Sequence, residues 1–547
     1  MAITNVVSNV MDARAVGTPL IAIETPDPGA TRHALEAYIN GKSKPVPSYI
    51  WDVAEGLRPS NTIGEDAFGQ MLEPVGGDQL ATIQPLTALQ CLKKAPKFSF
   101  VIMCNMHRFW GEQTFDPSVV QAVWNLRDWF KTSARTLVMT LPNCSLPAEL
   151  QNDVVVFTEE LPTSEELKPM IHKLHEATSE SLEKQSDGKM KFPQPTEAIL
   201  QKSVDSLSGL AMQQAEQVTS MAILKGHQSK QNDDGRNCGD TLDLDTLRKQ
   251  QRQQIEQTPG LQIFDGQNSF DDIKGLDALT GFLRSVVNGK RKPKAFVFID
   301  EIEKMFAGAT GQGGGDSSGT SQEQLGYILQ HLEDTQSRGC ICVGPPGTGK
   351  SELAKSAGNE ADCFTVSLDL GGMKGSLVGE SGERTRRALR VVEALAQGGA
   401  FWIATCNSIE SLPPELRRRF SYGTWFVDLP TAEARKALWK HYAKKFDVKV
   451  NKFDDEGWTG AEIKTCCSMA SDLNVSVKEA SGFISPVSRS NAESITKLRR
   501  LATGRFRSAS DGDFYKAPSQ KPIKKSSKVS TDDQDAMLTR IVDMNES

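Results

Sequence analysis

The chain has 547 residues, too many for one hydrophobic core and enough for two to four domains. With 38% hydrophobic and 24% charged residues, its composition is that of a globular protein. A net charge of −6 argues against nucleic-acid binding over the whole surface but leaves room for a local basic patch. No apolar run approaches the roughly 18–20 residues of a membrane span, and the first residues lack the pattern of a secretory signal.

The ten cysteines show no metal-binding or disulfide pattern. None belongs to a C-x-x-C pair, and the seven histidines form no cluster in the sequence. Cys340 and Cys342 alternate on an apolar run, whereas Cys466 and Cys467 are adjacent in a segment with helical spacing. We therefore expect buried free thiols, and neither disulfides nor a zinc site.

The first 185 residues alternate between short apolar runs and segments with helical spacing. Continuous apolarity over such lengths suits strands that are buried on both faces of a sheet. Four of these runs are expected to be strands, at 19–24, 98–104, 136–141 and 153–158. Residues 1–185 are thus predicted to form an α/β domain, followed by a polar helical linker at 186–262.

Residues 295–301 read A-F-V-F-I-D-E, an apolar strand that ends in two carboxylates. Buried carboxylates are costly unless they meet a cation or take part in proton transfer. The pattern predicts that Asp300 belongs to the ligand shell of a Mg²⁺ ion and that Glu301 polarises an attacking water. On its own this pattern is only moderately specific.

Residues 344–351 read G-P-P-G-T-G-K-S, a full match to the phosphate-binding pattern G-x-x-x-x-G-K-[ST]. An apolar run precedes it and a helix-like segment follows, which is the context the pattern requires. Glycines let backbone amides face phosphate oxygens, while Lys350 is expected to neutralise the β- and γ-phosphates of ATP and Ser351 to bind Mg²⁺. The predicted nucleotide-binding residues are Gly344, Pro345, Pro346, Gly347, Thr348, Gly349, Lys350 and Ser351.

A third apolar run, at 401–406, is followed by Asn407. Beside an ATP site this amide is expected to help position the attacking water. Three arginines follow at 417–419, after L-P-P-E-L. Their spacing suits an arginine finger that reaches the γ-phosphate of a neighbouring subunit, with Arg417 and Arg419 as the candidates. A solvated basic face is the alternative.

Two stretches of the chain resemble each other. T-L-V-M-T-L-P-N-C-S-L-P-A-E-L at 136–150 parallels F-W-I-A-T-C-N-S-I-E-S-L-P-P-E-L at 401–416. The N-terminal domain is therefore predicted to be a degenerate relative of the segment at 263–430, although two unrelated α/β units could share the pattern by chance. It lacks G-K-[ST], and Asn105 stands where the acidic pair would be, so we expect no ATP hydrolysis there.

Residues 270–480 resemble the AAA+ ATPases in these motifs. S-L-V-G-E-S at 376–381 is typical of one branch of that family. Within it, S-F-D-D-I-K-G-L-D-A-L, F-I-D-E-I-E-K-M-F-A-G-A-T-G, F-V-D-L-P-T-A-E-A-R and T-G-A-E-I are similar to the AAA ATPases named after the hypothetical chloroplast open reading frame forty-six. The similarity covers most of 90–507. It implies an α/β fold with a parallel five-stranded P-loop sheet at 263–430, a helical lid at 431–505, and contact of Ile273 with the nucleotide.

The resemblance further implies Mg²⁺-dependent ATP hydrolysis in a ring or stacked homo-oligomer, with a hexameric ring favoured. Our first hypothesis is that hydrolysis drives remodelling of a protein partner that the sequence does not identify. We expect a soluble cytoplasmic protein without membrane association, or a protein of the host cytoplasm for a phage-encoded member; a plastid stroma also falls within the family's range. A nucleic-acid-handling ATPase is one alternative, because a basic, aromatic-dotted run leads into a tail predicted to be disordered at 506–547. A non-catalytic nucleotide-binding scaffold is another.

Two positions depart from what related unfoldases carry. Leu377 stands where an aromatic pore-loop residue is common, which weakens a mechanism that grips and pulls polypeptide. Glu462 stands where some AAA+ branches place a sensor arginine. Residues 308–320 suit a second pore loop or a plain surface loop equally well.

The order of the two ATP-binding motifs is unusual. In AAA+ proteins the phosphate loop precedes the acidic strand, and the parallel sheet has the order 5-1-4-3-2. Here the blocks at about 295–339 and 340–399 are exchanged. Each block begins with a strand and ends after a helix, so the new junctions lie at the sheet edge opposite the ATP site. Both new crossovers can stay right-handed, and we predict the usual sheet with rewired connections.

A chain that misfolds is the alternative to the rewired sheet. The A-Q-G-G joint at 396–399 is the tightest connection and is expected to strain the backbone or fray the preceding helix. A distance above about 10 Å between Asp300 and Ser351 would contradict the rewired sheet, because the two could not then share one Mg²⁺.

Overall fold

Two β-sheets, each covered by helices, organise the chain. The computed structural model describes residues 2–41, 43–111, 114–142, 144, 146–185, 194–231, 242–264, 269–306, 320–369, 371–373, 380–397, 399–450 and 453–518. Within these ranges no helix is both long enough and apolar enough to cross a bilayer. The described cysteines are free, and most of them are buried.

The N-terminal sheet has six strands in the order β3-β2-β4-β5-β1-β6. All neighbours are parallel except the edge pair of β2 and β3. The strands are β1 (Leu20–Glu24), β2 (Ser48–Asp52), β3 (Gly56–Pro59), β4 (Phe100–Cys104), β5 (Thr136–Leu141) and β6 (Val155–Thr158). The four predicted strands are confirmed as β1, β4, β5 and β6. The β2–β3 hairpin was missed because its strands are short and mix polar with apolar residues.

Five helices accompany this sheet and cover both of its faces, and a sixth follows it in the chain. Val10 and Leu35 pack on one face with Ile21, while Leu89 and Val123 belong to the core on the other. The helices are α1 (Ala2–Ala15), α2 (Pro28–Asn40), α3 (Thr62–Met71), α4 (Pro85–Leu92), α5 (Pro117–Thr132) and α6 (Ser164–Gln185).

Three helices follow as a separate small bundle against α6. They are α7 (Glu197–Leu207), α8 (Met212–Gln231) and α9 (Leu244–Glu256). Their shared core includes Ile171 of α6 together with Leu200 of α7 and Leu247 of α9. The segment predicted as a helical linker to 262 ends instead in a strand, β7 (Leu261–Phe264), which pairs antiparallel with the second sheet.

The second sheet has the order β13-β12-β9-β11-β8-β10-β7. Its strands are β8 (Ala295–Ile299), β9 (Arg338–Val343), β10 (Phe364–Leu368), β11 (Ala400–Cys406), β12 (Thr424–Phe426) and β13 (Arg507–Ser508). The central five, from β12 to β10, are parallel and follow the predicted order 5-1-4-3-2. The prediction of five strands is corrected to seven, because β7 and β13 extend the two edges. The interleaved helices are α10 (Asp277–Val287), α11 (Ile302–Phe306), α12 (Thr320–Asp334), α13 (Lys350–Ala361), α14 (Glu380–Ala396) and α15 (Pro414–Arg419).

The two rewired connections are equally short. Three residues join α12 to β9, and three join α14 to β11. Each link contains a glutamine with left-handed backbone, Gln336 at φ 46° and Gln397 at φ 45°. The expected strain is therefore present at A-Q-G-G but is not confined to it, and α14 runs unfrayed through Ala396.

The A-Q-G-G link is held by neighbouring parts of the chain. The Ser164 hydroxyl donates to Gln397 Oε1 at 2.7 Å, and Gln397 Nε2 donates to Ser208 Oγ at 2.5 Å. Two helix turns earlier, Arg390 of α14 forms two hydrogen bonds with Glu24 at the end of β1, at 2.8 and 3.1 Å. The rewired joint thus lies where the N-terminal domain, the small bundle and the second sheet meet.

The helical lid consists of α16 (Ala432–Phe446), α17 (Gly460–Asp472), α18 (Val477–Ser481), α19 (Val487–Ser490) and α20 (Ala492–Ala502). The chain then returns to the sheet edge as β13. The prediction of disorder from 506 is wrong for 506–518, where Ala509 and Tyr515 are buried and the Tyr515 hydroxyl bonds Asp428 at 2.5 Å. This order was missed because the segment is polar overall and only its few apolar residues pack. The remainder of the predicted tail lies outside the described residues.

Candidate active site

The phosphate loop leads from β9 into α13 and depends on its glycines. A Cβ atom on Gly344 would lie 2.0 Å from the carbonyl oxygen of Val427, so no larger residue fits. Gly347 and Gly349 have φ values of 78° and 93°, in the left-handed region that favours glycine. Gly349 is the N-cap of α13, so the amides of the first helical turn face the cavity rather than a capping side chain.

Lys350 is buried at the base of this loop, with 6% of its surface exposed. Its Nζ donates to the carbonyl oxygens of Gly344 and Pro345, each at 2.7 Å. Burial lowers the pKa of this ammonium group to about 8, because charge is disfavoured away from water. A buried cation of this kind is stabilised by an anionic partner, so the site fits a polyphosphate.

Asp300 and Ser351 meet across the exchanged blocks. Ser351 Oγ donates to Asp300 Oδ1 at 2.8 Å, far inside the distance set as the test of the rewired sheet. A hydroxyl and a carboxylate oxygen are hard ligands of the kind Mg²⁺ takes, and a magnesium site usually leaves its other positions to water and phosphate. The residues present therefore fit Mg²⁺.

Thr405 of β11 is a site residue that sequence reasoning missed. Its hydroxyl donates to Asp300 Oδ1 at 2.5 Å and accepts the backbone N–H of Glu301 at 2.9 Å. It thereby fixes Asp300 and Glu301 relative to β11. The sequence signal was its place two residues before Asn407 at the same strand end, which puts it beside the end of β8.

Glu301 lies with its carboxylate between two partners. Asn407 Nδ2 donates to Glu301 Oε1 at 2.9 Å, and Lys304 forms an ion pair with the other oxygen, which raises the pKa of Lys304. The backbone of Glu301 is left-handed, with φ 46°. This turn directs the Glu301 side chain into the cavity and towards Asn407 at the end of β11.

Glu303 is a second missed residue. It is buried, and its Oε1 accepts the backbone N–H of Asn407 at 2.8 Å, while Oε2 has no hydrogen-bond partner among the described residues. The sequence D-E-I-E at 300–303 indicated this residue, because it places a third carboxylate next to the end of β8. Its contact holds Asn407 in place from the backbone while Glu301 holds the side chain.

The cavity has a volume of about 280 Å³ and joins the phosphate loop to the lid. Asp300, Glu301, Lys350, Ser351 and Asn407 all line it. Ile273, Gly275 and Leu276 add a largely apolar part of the lining. The lid contributes Leu438 and Tyr442 from α16 and Gly460, Ala461 and Lys464 from α17.

The lid is tied to the phosphate loop by its second helix. The backbone N–H of Ala461 donates to the Gly347 carbonyl at 3.1 Å. Glu462 points away from the cavity, because it caps α17 through Thr459 and accepts the N–H of Val487 at 2.6 Å. The basic residue that the lid presents to the cavity is Lys464, one helix turn beyond Ala461.

The arginine-finger candidates do not line this cavity. Arg417 is exposed on α15, and Arg419 pairs with Glu333 of the same chain at 2.6 Å. Their role stays a prediction, since it requires a second subunit. Leu377 and residues 308–319 lie outside the described residues.

The N-terminal domain carries no comparable site at the matching strand end, within the part of it that the structure describes. The loop between β1 and α2 has three residues, and Asp27 Oδ1 accepts the N–H of Ala30, capping the helix with a carboxylate. Thr31 donates to the buried Glu159 at 2.6 Å. Two carboxylates at this helix start disfavour a phosphate, and Asn105 follows β4 with a left-handed φ of 59°.

Comparison with known proteins places both domains. Residues 340–398 match the ATPase family associated with various cellular activities (AAA). This part of the chain is similar to the AAA ATPases. The match covers the exchanged phosphate-loop block and ends where the usual chain order breaks. Residues 6–158 match the N-terminal domain of SpoVK-like AAA ATPases, from α1 to the end of β6.

Similar proteins cover most of the chain. The "Uncharacterized AAA domain-containing protein ycf46" of Guillardia theta is 22% identical over 496 residues, which is 82% of this chain and 83% of the relative. The protein of the same name from Pyropia yezoensis is 22% identical and covers 90% of this chain and 96% of the relative. The proteasome-activating nucleotidase of Sulfurisphaera tokodaii is 28% identical over 24% of this chain and 47% of its own length.

Proposed function

We propose that this chain hydrolyses ATP with Mg²⁺ at the cavity between the phosphate loop, the acidic strand and the lid. The observation that carries the proposal is the 2.8 Å contact between Ser351 and Asp300, which come from blocks in exchanged order. With it, Lys350, Glu301 and Asn407 line one cavity. Each residue type that ATP hydrolysis needs is thus present at one strand edge.

Each side chain has a role in this proposal. The loop amides and Lys350 bind the phosphates, and Ser351 and Asp300 hold Mg²⁺, which would supply charge stabilisation at the transferred phosphoryl group. Thr405 orients Asp300. Glu301 accepts a proton from the attacking water, and Asn407 keeps its carboxylate in place. The apolar part of the lining around Ile273 suits the adenine ring.

We further propose that hydrolysis occurs in a homo-oligomer and remodels a protein partner. Support comes from Arg417, which is exposed and outside its own cavity, as a residue acting on a neighbouring subunit would be. A relative named a proteasome-activating nucleotidase adds support for a protein partner. Ring size, the hexamer and the cytoplasmic location stay predictions.

The alternative, a nucleic-acid-handling ATPase, rests on the basic run at 497–516, and the structure gives it less support than the ATP-driven remodelling of a protein. Arg499 bonds Asp428 at 2.9 Å, and Lys497 pairs with Glu410 at 2.5 Å, so two of its cations serve internal contacts. DNA-stimulated ATPase activity that falls steeply with salt would favour this alternative.

ATP turnover of the wild-type chain and of Glu301→Gln tests the proposal. Loss of the proton acceptor is expected to reduce turnover at least about 100-fold while binding of a fluorescent ATP analogue is retained. The matched control is Glu433→Gln, an exposed carboxylate at the start of α16 that does not line the cavity. Equal, negligible turnover in the wild type and Glu301→Gln, with nucleotide bound by both, would leave only the non-catalytic scaffold.

A further inference from the structure

The strands β12 and β6 hold equivalent positions in the two sheets, but only β12 has a further strand paired on its outer side among the described residues. In the second sheet, β12 pairs on its outer side with β13, in the parallel pairs Trp425 with Arg507 and Phe426 with Ser508. In the N-terminal sheet the strand at the same place is β6. Among the described residues β6 pairs only with β1.

The free edge of β6 is apolar and exposed. Val155 and Val156 have 40% and 44% of their surfaces exposed, and they point to opposite faces of the sheet. The strand reads V-V-F-T, with none of the lysines or prolines that usually protect a sheet edge. The opposite edge strand, β3, carries a charged residue and a proline, since Arg58 pairs with Asp52 and Pro59 lacks an N–H.

The covered edge shows what such a strand accepts. β13 is only two residues long, and it lies in a segment held by backbone bonds such as Ala509 N–H to Phe426 O at 2.9 Å. An extended segment of this kind binds mainly through its main chain, so it is little restricted in sequence. β6 and β12 hold the same position in the shared strand order of the two sheets, so β6 presents the same backbone N–H and C=O groups along its outer side.

We propose that the β6 edge binds an extended, unfolded segment of a protein partner by strand addition, with Val155 and Val156 contacting its apolar side chains. This rests on the proposed remodelling function and names the kind of partner that function would act on. A second copy of this chain is the weaker occupant. A four-residue edge buries far less than the roughly 1,000 Å² of a stable interface, whereas transient binding of unfolded chains needs no more.

The test uses the full chain and reduced, carboxymethylated α-lactalbumin labelled with fluorescein, a permanently unfolded protein. Binding is measured by anisotropy without turnover, so it is independent of whether ATP is hydrolysed. Val156→Lys is expected to weaken binding about fivefold or more, because a lysine opposes apolar cross-strand contacts. Val155→Lys tests the other face. Val53→Lys is the matched control, since Val53 is 58% exposed in the turn at the opposite edge of the same sheet.

Hydrogen exchange gives a backbone readout of the same binding. Addition of the unfolded protein is expected to slow exchange in the peptide that contains residues 153–158, and not in the peptide that contains β3. Equal binding by Val156→Lys, Val155→Lys and Val53→Lys would overturn the proposal. A change in the sedimenting mass of Val156→Lys with unchanged binding of the unfolded protein would show that the edge contacts a second copy of the chain, and would also overturn it. Binding of an oligothymidylate but not of the unfolded protein would overturn it as well. Turnover abolished by Glu301→Gln alongside such a result would leave the proposed ATPase function intact.

Discussion

The two sheets of this chain share one spatial order but reach it by different chain orders. Leaving the edge strands β3, β7 and β13 aside, the N-terminal sheet reads β2-β4-β5-β1-β6, and the second reads β10-β8-β11-β9-β12. The strand that leads into the phosphate-loop position comes first in the N-terminal sheet and second in the other. The comparison teaches that strand packing, rather than the sequence of connections, determines the arrangement at the active edge.

The same comparison separates architecture from chemistry. The N-terminal sheet has the usual wiring but closes its helix start with Asp27 and Glu159. The second sheet has unusual wiring but keeps a glycine loop, Lys350 and the Asp300–Ser351 pair. On the proposed function, catalytic capacity follows the residues at the strand ends and not the order of the strands in the chain.

The largest effect is expected from Lys350→Ala. Because this lysine is the buried cation of the phosphate loop, its loss should weaken ATP binding at least about 100-fold. Equilibrium dialysis should give one nucleotide per wild-type chain and none per variant at the same concentration. Lys355→Ala on the same helix serves as control. A remaining full equivalent in the variant would mean that the N-terminal domain binds nucleotide, which would break the comparison.

Thr405→Val should lower kcat about tenfold with little change in KM. The substitution removes the hydroxyl that orients Asp300 and receives the Glu301 N–H, and such supporting contacts are worth about 10–100-fold. Steady-state turnover measures the effect. Thr405→Ser, which keeps the hydroxyl, should restore most of the rate, and a serine variant as slow as the valine variant would rule out this positioning role.

Glu159→Gln should stabilise the chain at high pH only. Burial raises the pKa of Glu159, so the folded state loses stability as pH rises through that value and the carboxyl ionises. Glutamine does not ionise and can still accept from Thr31. Urea unfolding should show a gain of about 1 kcal/mol at pH 8 that vanishes below about pH 4. The exposed neighbour Glu160→Gln is the control, and a gain of equal size at both pH values would exclude ionisation as the cause.

The two rewired links should respond differently to glycine. Gln336→Gly relieves a left-handed backbone at an exposed residue and should stabilise the chain by about 1 kcal/mol. Gln397→Gly gains the same relief but loses the hydrogen bonds to Ser164 and Ser208, so its net effect should be near zero. Thermal unfolding of both variants measures this. A larger gain at 397 than at 336 would show that the A-Q-G-G link alone holds the strain.

Much of the fold and site could be predicted from particular residues. A G-x-x-x-x-G-K-S loop fits a phosphate site, and two carboxylates at the end of a buried strand need a cation or a proton-transfer role. The roles of Lys350, Ser351, Asp300 and Glu301 could therefore be predicted from the sequence. Thr405 and Glu303 could not, since a threonine or a third acid is common and gains meaning only from neighbouring strands. The ordered segment at 506–518 was missed for the same reason: its few apolar residues pack on an edge formed by distant parts of the chain.

The central claim is that the exchanged blocks leave the ATP site unchanged. It is tested most directly by a chain rebuilt in the usual order, 1–294, 338–399, 295–337 and 400–547, so that each cut falls outside the strands, assayed for ATP turnover beside the chain as it is. Because all new junctions lie at the sheet edge away from Ser351 and Asp300, kcat should agree within about threefold, a difference below about 1 kcal/mol. A rebuilt chain that is far more active, or a chain in the exchanged order whose turnover does not depend on Glu301, would contradict the account.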